Sequence, residues 1–146
     1  MGFRTCGRRW LDLRSCYSYQ AEKPDCKIVG VEPIGAAAVL RSVQQDRVVT
    51  LDKIDTVAEG LEAPFAGIYT LAHVKRYVDY LVLVSDEEII HAQNLILEQC
   101  KIPTEPAGTA GFASLLYKKV GIPKGAHVVC VLSGGNIDLK HLKNLL

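Results

Sequence analysis

With 146 residues the chain has the length of one domain and can bury a real core. Its hydrophobic fraction of 49% and charged fraction of 23% are those of an ordinary globular protein, and a net charge of +1 offers no surface for nucleic acid or another polyanion. No apolar run reaches the length of a membrane span, and the arginine-bearing N-terminus lacks the apolar stretch of a secretory signal.

Residues 1–22 hold four arginines, Trp10, two cysteines and two tyrosines, with neither helical nor strand periodicity. From Asp25 onward strand and helix signals alternate. Residues 27–31 read as a strand, 36–45 as a helix rich in Ala and Leu, and 48–51 as a short strand. Residues 69–77 read as a helix and 80–84 as an apolar strand. Ser85 with Glu88 three residues on forms a capping box, and Asp86 and Glu87 suit the positive end of the helix that follows. That helix carries Ile89, Ala92, Ile96 and Gln99 along one face and ends near Cys100, since Pro103 cannot continue it. Pro106 opens another helix through residue 119, with Phe112, Leu115, Leu116 and Val120 apolar. A loop at 121–125, a strand from His127 and a last helix from about residue 139 complete the chain. Such alternation specifies an α/β fold with a mostly parallel sheet and helices on both faces.

The five cysteines, Cys6, Cys16, Cys26, Cys100 and Cys130, are odd in number and show no C-x-x-C spacing, so neither a disulfide framework nor a zinc site is indicated. A reducing, cytoplasmic compartment is the expectation. His73, His91, His127 and His141 show no ligand spacing and read as structural.

The run His127-Val128-Val129-Cys130-Val131-Leu132 leads into Ser133-Gly134-Gly135-Asn136. Open α/β sheets bind ligands at the C-terminal ends of their strands, and the glycines permit close approach there. Taken alone, the tetrad reads more readily as a plain turn. It does not stand alone. Val31-Glu32-Pro33, Thr56-Val57-Ala58-Glu59-Gly60, Val82-Leu83-Val84-Ser85-Asp86-Glu87-Glu88 and Glu105-Pro106-Ala107-Gly108 precede it. In this order and spacing the set resembles the C-terminal half of a fold-type II pyridoxal-phosphate enzyme. The nearest likeness is to threonine dehydratase (threonine ammonia-lyase), with serine racemase as close kin. It runs from about Lys23 to Asp138.

The resemblance implies an incomplete large domain of the tryptophan-synthase-beta-like fold over residues 23–146, and pyridoxal 5'-phosphate as cofactor. It implies that Ser133 faces the pyridine nitrogen, that Glu105 lies near the ring, and that the Gly60 and Gly134 backbones pass close to the cofactor. Asn136 matches the last residue of the family's Ser-Gly-Gly-Asn, and a turn role suits it better than direct contact. Some family members hold a divalent cation through the glutamate matching Glu32, a carbonyl at the place of Ala36 and an aspartate where this chain has Ala38. With no carboxylate at Ala38, no metal site of that type is expected. The family's reactive lysine lies in Ser-x-Lys-x-Arg-Gly, and no lysine here has that context. No catalytic residue is therefore assigned, and the chain is expected to be an inactive fragment by itself. L-Threonine or L-serine is the implied substrate, and a homo-oligomer the implied assembly of the full-length family. An alternative is a non-catalytic protein pairing with a full-length relative, or a fragment of serine racemase type.

The glycine-rich phosphate loop of the family has no counterpart in residues 1–22. Codons can be written for Gly7 to Gln20 that, read one base later, give Val-Gly-Gly-Gly-Leu-Ile-Ser-Gly-Leu-Ala-Thr-Ala-Ile, close to that loop and its helix. The expectation is that residues 1 to about 20 are a frameshifted translation joined to family sequence near Ala21.

Overall fold

The computed structural model describes residues 2–6, 22–138, 140 and 142. The strand β2 (Lys27–Pro33) is buried on both sides, Val29 and Val31 on one and Ile28 on the other, each 2–3% exposed. Two-sided burial marks an interior strand of a parallel sheet. Its neighbours are β1 (Gly2–Cys6) and β3 (Tyr80–Val84), and β4 (His127–Cys130) lies beyond β1. Among the described residues the sheet has four strands in the order β3-β2-β1-β4, every pairing parallel. β1 falls where the sequence shows no period of two. Pairing with a neighbour on each side makes it a strand. Of the stretch expected to be frameshifted, residues 1 to about 20, residues 2–6 form β1 and 7–20 lie outside the described residues.

Parallel neighbours need crossovers, and helices supply them. Between β2 and β3 run a 3-10 turn (Ile34–Ala36), α1 (Ala38–Gln44), a second 3-10 turn (Glu59–Leu61) and α2 (Ile68–Tyr77). Between β3 and β4 come α3 (Asp86–Cys100) and α4 (Pro106–Leu116). The expected strand at 48–51 is reduced to one antiparallel bridge, Thr50 with Phe65. The expected last helix is described only at Lys140 and Leu142, both helical.

Local chemistry sets the helix ends. Ser85 accepts from Glu88 N–H and Glu88 Oε2 accepts from Ser85 N–H at 2.9 Å, so the capping box is complete. Lys101 turns left-handed at φ 59° and stops α3 before Pro103 is reached. Lys118 does the same at φ 53° after α4, which therefore ends at Leu116 and not at 119. One face of the sheet is closed by α3 and α4, in a core of Val29, Val31, Val84, Ile89, Ala92, Ala107, Ala110 and Ala113. Fully burying a Val or Ile side chain is worth about 1.5–3 kcal/mol. The deepest residues of α4 are small, from Ala107 to Ala113, whereas Phe112, Leu115 and Leu116 are half-buried. Small side chains let α4 lie close to the sheet and to the segment after β4.

Candidate functional site

The C-terminal ends of β2, β3 and β4 share one edge of the sheet, because all the pairings are parallel. The segment Ser133–Asn136 follows β4 there without regular structure and meets the segment that starts α4. Glu105 N–H donates to the Gly134 carbonyl at 2.9 Å. A Cβ on Gly134 would collide with the Glu105 carboxylate, and one on Gly108 would come within 3.1 Å of the Gly134 oxygen. Gly135 is equally tight, since its Cβ would lie 2.9 Å from the Pro103 carbonyl. Only Gly135 meets backbone closer than 3.0 Å; at Gly134 the Glu105 side chain, and at Gly108 the Gly134 carbonyl, would have to give way.

In front of the junction opens a cavity of about 160 Å³. Gly60, Glu105 and Asn136 line it together, although they are far apart in sequence. Val57, Ala107 and Ile137 add apolar wall. Ser133 and Gly134 are half-buried behind Glu105 and Gly108 and are not part of the lining. Sequence reading missed Glu59 and Asp138, both of which face the cavity. It also missed the struts behind the walls: Asp86 bonds the loop before Gly60, and Gln93 bonds the residue before Glu105. Helical period could have found Gln93, which lies four residues after Ile89 and so on the buried face. Gln99, read onto that face, is exposed.

Among the described residues the lining carries three carboxylates, Glu59, Glu105 and Asp138, and no Lys, Arg or His. It disfavours an anion and accepts a neutral or protonated ring. A pyridoxal ring fits this lining and a phosphate does not, so the phosphate needs donors beyond these residues. The volume is also below the roughly 300–1,000 Å³ of ordinary ligand sites, as suits one part of a larger cleft.

The Glu32 carboxylate faces away from the cavity. It accepts from Val39 N–H at 2.9 Å and Leu40 N–H at 2.8 Å, capping α1 from the end of β2. Among the described residues no helix is long and apolar enough to cross a membrane.

A parallel α/β sheet with a ring-sized cleft at its C-terminal strand ends defines a class of ligand-binding enzyme domain. Comparison with known proteins narrows it. The chain belongs to the pyridoxal-phosphate dependent enzyme family, whose model matches residues 15–134. It is 33% identical to the L-threo-3-hydroxyaspartate ammonia-lyase of Saccharomyces cerevisiae over 90% of this chain and 40% of that protein. It is 37% identical to the biosynthetic L-threonine dehydratase of Bacillus subtilis over 84% of this chain and 29% of the relative. The structure of maize serine racemase superposes with a TM-score of 0.86 at 28% identity, over 98% of this chain and 44% of that one. The chain thus spans less than half the length of each of these three proteins. The fold is that of fold-type II pyridoxal-phosphate enzymes, as the motifs implied.

Proposed function

We propose that this chain forms the ring-side part of the cofactor cleft of an L-threonine or L-serine ammonia-lyase. The observation that carries the reading is the meeting of Gly60, Glu105 and Asn136 at one cavity on the C-terminal edge of the sheet, with the Ser133–Asn136 segment bonded to its wall. Pyridoxal 5'-phosphate, when bound, supplies the electron sink for the chemistry. Ser133 lies outside the cavity lining, behind Glu105 and Gly108; with the ring seated past Glu105 it would offer the pyridine nitrogen a neutral hydroxyl, which would not force a proton on the ring as an aspartate would. That suits loss of water from a hydroxy amino acid. Glu105 and the Gly60 backbone orient the ring, and Gly134 lets Glu105 approach the segment after β4.

The chain by itself is an inactive fragment in this reading, because none of its lysines lies in the family's Ser-x-Lys-x-Arg-Gly context. Purified chain given pyridoxal phosphate and L-threonine is expected to yield no 2-oxobutanoate above buffer. Product formation would overturn this part of the reading. A second reading is a non-catalytic partner of a full-length relative. Cofactor absorbance that appears with such a partner and not without it would select the second reading.

A further inference from the structure

Both walls of the cavity are tied to α3. At its first turn the Asp86 carboxylate takes two hydrogen bonds from the loop that leads to Gly60. Thr56 Oγ1 donates to Oδ1 at 2.6 Å, and Val57 N–H donates to Oδ2 at 3.0 Å. The Thr56 hydroxyl in turn accepts from Ala58 N–H at 3.2 Å, and Ala58 is fully buried. Residues 56–58 are thereby closed into one bonded turn, with Val57 on the cavity. Further along the helix, Gln93 Nε2 donates to the Thr104 carbonyl at 2.6 Å. Thr104 directly precedes Glu105, on the other wall. Gln93 is 0% and Thr104 2% exposed, so this bond is made away from water, where it is stronger. Asp86 and Gln93 stand at i and i+7, on one face and about 10.5 Å apart along the axis.

We infer that Asp86 and Gln93 are the positioning residues of the cavity, with α3 as the strut that fixes the gap between the two walls. What fills the gap rests on the cofactor reading; the pinning does not. Among the described residues no hydrogen-bond partner reaches the buried Gln93 Oε1, which costs stability. Methionine would fill the same space without that cost. The glutamine is therefore poorly explained by packing and well explained by its one bond to the wall.

The test uses the full chain, amide hydrogen exchange and fluorescence titration with pyridoxine, a ring without phosphate. Gln93→Met is expected to speed exchange at the Glu105 and Gly108 amides about tenfold, with Val57 and Ala58 unchanged, while the stranded Thr104 carbonyl lowers the whole-chain melt modestly. Asp86→Asn should do the reverse, loosening Val57 and Ala58 alone. Thr56→Val removes the same latch from the loop side should Asp86→Asn not fold. Each variant should weaken pyridoxine several-fold. Exchange that rises evenly across the chain, or in neither wall, overturns the inference. So does wild-type pyridoxine binding that no variant weakens. Wall-specific exchange in a chain that binds no pyridoxine leaves the pinning standing and removes the cofactor reading.

Discussion

A Cβ at Gly134 would collide with the Glu105 carboxylate, and the Glu105 N–H is already committed to the Gly134 carbonyl. Gly134→Ala must therefore displace either the segment or the glutamate. Overpacking of this kind costs about 1–3 kcal/mol, and a urea titration should show the midpoint falling with an unchanged slope. Unaltered stability would mean that Glu105 swings away freely. Glu32 makes a different residue-scale case. Both of its oxygens receive backbone N–H groups of α1, and Ala38, 1% exposed, brings no carboxylate. Glu32→Ala leaves two half-buried donors without a charged acceptor, a loss of about 2 kcal/mol. Magnesium or calcium at millimolar level should leave the melting temperature of the wild type where it is. A saturable rise that disappears in Glu32→Ala would show that the glutamate holds a cation after all.

At the scale of the element, α3 carries the clearest signals. The Ser85 hydroxyl beside Glu87, and then the backbone of Glu87 itself, hold the Glu87 carboxyl below the ordinary glutamate range. A carboxyl depressed in the folded state adds stability above its unfolded pKa and loses it as pH falls through the folded value. The first turn of α3 should thus loosen only below the usual glutamate range. Ser85→Ala should move the Glu87 titration upward, part of the way to an ordinary glutamate, read by carboxyl NMR, and cost about 1 kcal/mol of cap. A Glu87 curve unmoved by Ser85→Ala would mean that the hydroxyl is not the cause. The capping box was legible in Ser85 and Glu88 because it is a local device. The end of α3 was legible only in part. Pro103 gave the neighbourhood, but Lys101 adopts the left-handed conformation that stops the helix, and a lysine carries no signal for it. Likewise, the sequence marked Phe112, Leu115 and Leu116 only as apolar, and in α4 all three are half-buried. The close approach of the Ser133–Asn136 segment reserved the deepest places for Ala107 and Ala110.

At the scale of the whole molecule, the alternation of strand and helix could be read from sequence; Gly60, Glu105 and Asn136 were singled out by the family resemblance, and they line one cavity because parallel crossovers deliver successive loops to one edge. β1 could not be read, since its strand character comes from β2 and β4 and not from its own residues. The same order leaves β4 at the end of the sheet among the described residues. Its four residues include no proline and no Lys, Arg, Asp or Glu. Val129 is 54% exposed and Leu132, just past the strand, 38%. An uncharged strand edge with bare apolar side chains is a template for pairing with another chain. The chain should therefore associate as concentration rises, with sedimentation velocity showing a growing heavier species up to about 100 µM, a range in which exposed edges associate. Val129→Lys places a charge at an already exposed position, so its effect on folding should stay within about 0.5 kcal/mol while association falls. A single monomeric boundary for the wild type across that range would mean that the edge is protected. Equal association of wild type and Val129→Lys would move the contact to another surface, and the exposed Ile68 and Tyr69 at the start of α2, 74% and 83% exposed, would be the next pair to charge.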